Sequence, residues 1–349
     1  MKQEKDVVAA TIKRLASRFF DLSQQKAGIG IFPHARADAD ALGAALSLAV
    51  VFEQLGAITK VFVDEKVVPT LQFLPQTERV FLYTGETDDQ QLDLVVAVDL
   101  NSPDRLENRE QLFSAAPEYV IIDHHVREQD NKENELVYTK ASSTCELIFR
   151  LISELEQLSG RKIFNDDIAT LLLAGLMTDT GRFSYANTTP RSLRQAAWLI
   201  ENFSVDLPNL THELFERTTV TQLQIRGDVL SKMKVAAGGR ILYASVSREM
   251  MDKRKATDDH LDYLSSDMRE ADGVDVSVLL RESSDRKEIQ GSVRSNSCLD
   301  AAAFSKKFGG GGHVRAAGFT LEGINLEQAE SKVLAEAEKM LNQCDSNLK

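Results

Sequence analysis

Cysteine is scarce in this chain: Cys145, Cys298 and Cys344 stand far apart in 349 residues and offer no paired spacing. That argues against a disulfide-built scaffold and a zinc ribbon, and it fits a reducing cytoplasm. Long apolar runs are missing too. The longest, such as 171–177, are far too short to cross a bilayer, so no membrane partner is expected. Segment 1–6 is charged and leads into an amphipathic stretch over 12–20 instead of an apolar signal core, so secretion is not expected either. A basic surplus is also lacking, because 41 Lys and Arg stand against 53 Asp and Glu, a formal net charge of -12. Long nucleic acid is held by many phosphate contacts from a basic surface, so long duplexes are poor partners and any phosphate-bearing substrate is small. Finally, there is no GxSxG elbow, no Walker loop ending in GK[ST] and no paired-glycine fingerprint after the first strand. Serine hydrolases, nucleotide-triphosphate motors and Rossmann dehydrogenases lose their sequence support.

What is present is an ordinary globular composition, 43% hydrophobic and 27% charged, at a length that suggests two domains. The first half alternates short apolar runs with amphipathic segments, the pattern of βαβ units on a parallel sheet. Strands are expected at 28–32, 58–63, 94–98 and 119–122, and helices at 41–54, 144–158, 166–177 and 190–201, with Gly56 stopping the first helix. The predicted class is α/β: a doubly wound parallel sheet in domain 1–201, a helical linker over 202–232, and a smaller α/β domain with a mixed sheet over 233–349. In the last, strands are expected at 240–246, 274–281 and 289–293, with helices at 260–270, 299–308 and 326–341.

Acidic and imidazole residues recur at the carboxyl ends of these strands, where open parallel sheets bind ligands. His34 follows the first strand, with Asp38 and Asp40 just beyond it; Asp99 ends the third; Asp123, His124 and His125 end the fourth; and a helix runs into Asp179. An isolated aspartate after a strand is ordinarily a helix cap, and a lone histidine is ordinarily structural. Together they point to metal, and they are too many ligands for one ion, so a dinuclear site is expected. Two divalent cations sharing a carboxylate can polarise a water for in-line attack and stabilise charge on phosphoryl oxygens. Mixed imidazole and carboxylate ligation favours Mn2+, with Mg2+ or Co2+ as alternatives.

The run Gly309-Gly310-Gly311-Gly312-His313 forfeits packing and suits a place where a ligand approaches the main chain. Its N–H groups can cradle a phosphate, His313 can add a charge-assisted contact, and Arg294 at a strand end can supply a bidentate one.

These motifs resemble the DHH phosphoesterase family, whose triplet stands here as Asp123-His124-His125. His34 to Gly43 looks like the family's first motif, Val98-Asp99 its second and Gly175 to Tyr185 its fourth, while Gly309 to Gly318 looks like the signature of the DHH-associated C-terminal domain. Ala37 and Ala44 depart from a frequent proline and serine, and neither removes a ligand. Within the family the architecture resembles bacterial nanoRNases, which degrade very short RNA and dephosphorylate adenosine 3',5'-bisphosphate (pAp). The resemblance implies that His34, Asp38 and Asp99 hold one ion and that Asp40, Asp99, His124 and Asp179 hold the other. Asp99 would bridge, His125 would contact the scissile phosphate, and Asp123 would orient a ligand histidine. Arg294, Gly311, Gly312 and His313 would grip the far end of the substrate. The partners this implies are short RNA oligonucleotides, dinucleotides or pAp, with a homodimer allowed. Rival readings are a phosphodiesterase of linear or cyclic dinucleotides (pApA, pGpG, c-di-AMP) and a non-catalytic nucleotide sensor.

Overall fold

The computed structural model describes residues 2–85, 92–126, 131–262, 264–296 and 298–347. The chain divides into two compact units, Met1–Arg217 and Thr218–Lys349, and the division falls inside the segment read as a linker.

The first unit runs α1 (Lys2–Gln24), β1 (Gly28–Pro33), α2 (Ala39–Leu55), β2 (Ile58–Val63), β3 (Val80–Leu82), β4 (Leu94–Val98), α3 (Glu110–Ala115), β5 (Tyr119–Asp123), β6 (Glu135–Val137), α4 (Thr144–Ser159), α5 (Asp166–Asp179), α6 (Pro190–Asn202) and α7 (Leu207–Thr211). Its strands lie in the order β3-β2-β1-β4-β5-β6, and every described pairing is parallel. Such a sheet is covered on both faces, which is why β4 is a continuous apolar run, wholly buried. Alternate residues serve opposite cores: Val96 and Val98 join Ile29 and Ile31 against the α2, α4 and α5 side, while Val95 and Ala97 join Phe32, Phe62 and Phe113 on the other. The helix ends obey local chemistry. Gly56 caps α2 in the left-handed conformation (φ 109°), and Thr189 opens α6 with a reciprocal capping box before Pro190. The strand order reverses between β1 and β4, which opens a crevice at their carboxyl ends. The short strands β3 and β6 were not expected from the sequence; three residues carry no readable period.

The second unit runs α8 (Val220–Ser231), β7 (Lys234–Ala236), β8 (Ile241–Val246), α9 (Arg248–Arg254), α10 (Leu264–Arg269), β9 (Val276–Glu282), β10 (Glu288–Ser295), α11 (Ala301–Lys306), β11 (Gly311–His313), β12 (Ala316–Glu322) and α12 (Leu326–Asn347). Its sheet has the order β11-β12-β10-β9-β8-β7 and is mixed, since β8 and β9 pair parallel and the other pairs antiparallel. The helix α12 buries Ala329, Val333, Ala337 and Leu341, a stripe at every fourth residue. The helix expected over 260–270 is instead a 3-10 turn, Asp258–Leu261, followed by α10, and Tyr263 lies outside the described residues. The scattered cysteines also need correction: Cys298 and Cys344, 46 residues apart, form a disulfide, while Cys145 is free and buried. Pairing over that distance is made by tertiary folding, which spacing in the chain does not reveal. Among the described residues no helix is long and apolar enough to cross a membrane.

Candidate metal centre and phosphate-binding cavity

The crevice at the carboxyl ends of β1 and β4 is where the acidic and imidazole residues meet. His34 follows β1 directly. Asp38 is the N-cap of α2, accepting from the amides of Asp40 and Ala41 at 3.0 Å each, so it serves as helix cap and site residue together. Asp40, in the first turn, is fully buried and is held by the start of α4, whose Thr144 and Cys145 amides donate to its carboxylate at 2.7 and 2.9 Å. Asp99 follows β4 with a left-handed backbone (φ 60°), a conformation that non-glycine residues adopt chiefly where the surroundings enforce it. Its Oδ1 accepts from the Thr144 hydroxyl at 2.8 Å. Asp179 ends α5, and its Oδ2 lies 2.8 Å from His124 Nε2. The loop beyond it carries two more left-handed residues, Arg182 and Phe183 (φ 59° and 65°).

The donor atoms fall into three overlapping groups, each within 4.8 Å: His34, Asp38 and Asp99; Asp40, His124 and Asp179; and Asp99, His124 and His125. Asp99 therefore sits between histidines on both sides, 3.5 Å from His34 Nε2 through one oxygen and 3.6 Å from His124 Nε2 through the other. Two divalent cations fit this donor set. Four carboxylates so close repel one another, and His124 Nε2 is buried without an aligned hydrogen bond although acidic oxygens surround it.

The electrostatics agree. Burial, and then the Asp179 and Asp99 carboxylates, hold Asp40 well above the usual carboxylate range. Burial acts the same way on Asp99, but His34, His125 and His124 outweigh it and Asp99 stays below its ordinary value. For His124 burial disfavours the charged ring, yet Asp179, Asp40 and Asp99 prevail and push it up to about 10. A cation bound there would take the proton's place.

Asp123 was expected to orient a ligand histidine. The structure puts its Oδ1 2.8 Å from His125 Nδ1 instead, and only the backbone amide of His124 reaches it, also at 2.8 Å. The two histidine rings lie side by side, centroids 4.4 Å apart, and the Asp123 carboxylate meets the second of them. This contact, working against burial, raises His125 above the usual imidazole value.

Thr144 and Cys145 were not singled out for this site from the sequence, and Gly175 was noted only as the first residue of the fourth motif. A Cβ on Gly175 would come within 2.5 Å of Asp40 Oδ1 and of Cys145 Sγ, so only glycine lets α5 pass behind that carboxylate. Ser143-Thr144 with Glu146 is a readable helix start, and Ser143 does cap α4 by accepting from the Glu146 amide.

In the second unit a cavity of about 650 Å³ is lined by Arg281, Gln290, Arg294, Gly309 and Gly310, among others. Arg294 lies on β10, half-buried, with Nη1 donating to Val293 O at 3.0 Å; burial and neighbouring Arg269 both lower it. Arg269 was missed by sequence reasoning, and no spacing rule announces it. Its Nε is buried without a partner among the described residues. Repulsion between two such neighbouring guanidinium groups would be relieved by an anion.

Gly311, Gly312 and His313 do not line that cavity; they form the edge strand β11 against β12. The glycine run has mostly internal reasons. Gly309 is left-handed (φ 77°), and a Cβ on Gly310 or Gly312 would strike the β12 backbone at 2.1 or 2.6 Å, whereas Gly311 has nothing within 4 Å.

A doubly wound domain with such a cluster at its switch point, followed by a mixed-sheet domain with an arginine-lined cavity, has the architecture of a metal-dependent phosphoesterase. Comparison with known proteins agrees. Residues 28–176 match the DHH family N-terminal domain and residues 238–343 the DHHA1 domain, and the chain belongs to the DHH family of phosphoesterases. It is 33% identical to the bifunctional oligoribonuclease and PAP phosphatase NrnA of Thermus thermophilus, covering 88% of each chain. It is 25% identical to the protein of that description from Bacillus subtilis, over 88% of this chain and 92% of the other. The crystal structure of an exopolyphosphatase-related protein from Bacteroides fragilis shares the fold, with a TM-score of 0.84 at 24% identity over 96% of both chains.

Proposed function

We propose that this phosphoesterase hydrolyses short oligoribonucleotides to 5'-mononucleotides and dephosphorylates pAp in the cytoplasm, using two divalent cations, Mn2+ by preference. The observation that carries the reading is the position of Asp99, one carboxylate shared between histidine-bearing groups on its two sides.

His34, Asp38 and Asp99 would hold one ion, and Asp40, Asp99, His124 and Asp179 the other. When bound, the ions supply charge neutralisation and an activated water. The chain's own groups do the rest. Thr144 fixes the shared carboxylate, and the amides of residues 144 and 145 fix Asp40, so neither turns when substrate arrives. His125, whose Nδ1 lies 2.8 Å from Asp123, would donate to a non-bridging phosphoryl oxygen and stabilise charge as the water oxygen bonds to phosphorus and the P–O ester bond breaks. The attacking water gives up a proton as it bonds and the departing oxygen takes one up, so the net products are a phosphate and a free hydroxyl. Arg294 and Arg269 hold a further phosphate of the substrate, with Gly311, Gly312 and His313 on the edge strand β11 as a second phosphate-binding element. A net charge of -12 suits a short substrate held by a few such contacts.

The test is turnover of two- to five-nucleotide RNA and of pAp by metal-stripped protein given back Mn2+. Release of mononucleotides and phosphate is expected. A folded protein that binds these compounds tightly and turns none over is a sensor, and one selective for cyclic or linear dinucleotides is a signalling phosphodiesterase.

A further inference from the structure

Between α4 and α6, on the outer side of the first unit, lies a cavity of about 490 Å³ that has no part in the metal centre. It begins five residues along α4 from Thr144, about 7.5 Å down the helix axis. One wall is aromatic. Phe149, Phe164 and Trp198 pack edge to face or tilted, with ring centres 5.0 to 5.2 Å apart, and Phe149 and Trp198 stay partly exposed. The other wall carries Arg150, Arg191 and Arg194.

These guanidinium groups are not equivalent. Arg191 is committed to Glu146 at 3.1 Å. Arg150 is not: its Nη1 is buried without a hydrogen-bond partner among the described residues, and burial followed by repulsion from Arg191 lowers its pKa. Arg194 stands exposed one helical turn beyond Arg191. Gln195 Oε1 is buried and unpartnered nearby. An aromatic cluster that only closed the core would need neither a guanidinium nitrogen nor an amide oxygen left unsatisfied beside open space. Arginine forks suit a phosphate, partly exposed rings suit a flat base, and the volume suits one nucleotide.

We propose that this cavity is a second nucleotide site, taking one mononucleotide with its base against Trp198 and Phe149 and its phosphate on Arg150 and Arg194. Neither arginine belongs to the metal centre or to the cavity of the second unit.

Trp198 is the single tryptophan of the chain and reports on the site directly. AMP titrated into the protein in EDTA, where hydrolysis cannot occur, should change Trp198 emission saturably. Adenosine alone and inorganic phosphate alone should each bind at least about tenfold more weakly, as should AMP to Arg194→Gln, whose altered side chain is exposed, and to Arg150→Gln. The proposal is overturned if millimolar AMP leaves the emission unchanged, if adenosine or phosphate binds as tightly as AMP, or if folded Arg194→Gln binds AMP like the wild type. Because the readout needs no turnover, failure of the proposed hydrolysis leaves this result standing, and the reverse also holds.

Discussion

The metal centre of the first unit and the arginine-lined cavity of the second both suit phosphate chemistry, but they are held in different ways. In the first, the side chains are short and their positions follow from the backbone: strand ends, a helix cap and the first turns of α2 and α4 set the carboxylates. In the second, long guanidinium side chains reach a cavity whose neighbouring edge strand is shaped by glycine packing. A site fixed by backbone has little freedom to adapt, so damage to it should be nearly complete. One made of long side chains should lose function by degrees.

The strongest challenge to this contrast is Asp99→Ala. Removing the shared carboxylate should lower turnover at least about a thousandfold and reduce the number of bound cations, with the fold retained by circular dichroism. Wild-type turnover in that variant would end the two-cation reading. Gly175→Ala comes next. Its added methyl must displace Asp40 or Cys145, so a stability loss of about 1 to 3 kcal/mol and a turnover loss of about ten- to a hundredfold are expected. Gly311→Ala is the matched control in the second unit, where a Cβ meets nothing within 4 Å, and its melting temperature should match the wild type. Equal thermal stability for both variants would erase the distinction between a backbone-set and a side-chain-set site.

The same contrast explains what could be read in the chain. Strands β1, β4 and β5 were legible as apolar runs and β2 by its Val61-Phe62-Val63 end, and α2, α5 and α6 because Gly56, the acidic pair 166–167 and Pro190 announce their ends. The cluster of acidic and imidazole residues was legible because parallel-sheet topology sends strand ends to one crevice, so position along the chain stood in for position in space. Contacts made by amides carry no residue signature, so the hold of Thr144 and Cys145 on Asp40 was invisible. Arg269 and the Cys298–Cys344 pair depend on distant segments meeting, which no local period reports. The glycine run was noticed for the right reason, close approach, but for Gly310 and Gly312 the approaching group is the chain's own β12.

Arg294→Ala tests the graded side. With Arg269 still in place, KM for a dinucleotide should rise about tenfold while kcat changes little, because a contact that does not change as the bond breaks stabilises ground and transition states alike. Lysine at that position should restore part of the loss. A fall in kcat with unchanged KM would instead put Arg294 at the reacting phosphate and remove the division of labour between the two sites.

The smallest effect separates the sites by their protons. In the cation-free protein His124 is raised from 6.5 to about 10, chiefly against burial and through its acidic neighbours. Since the folded value exceeds the unfolded one, protonation of His124 stabilises the cation-free fold fully below about pH 6.5, and that stabilisation is lost as the pH rises through about 10. A cation must displace the same proton, so between these limits its binding releases one and strengthens as the pH increases. Adding Mn2+ to weakly buffered protein at pH 8 should therefore liberate at least about one proton per chain. Arginines do not titrate in this range, so a phosphodiester binding at the second unit should liberate none. Cation affinity independent of pH from 7 to 9 would mean that His124 carries no exchangeable proton there and would overturn its raised value.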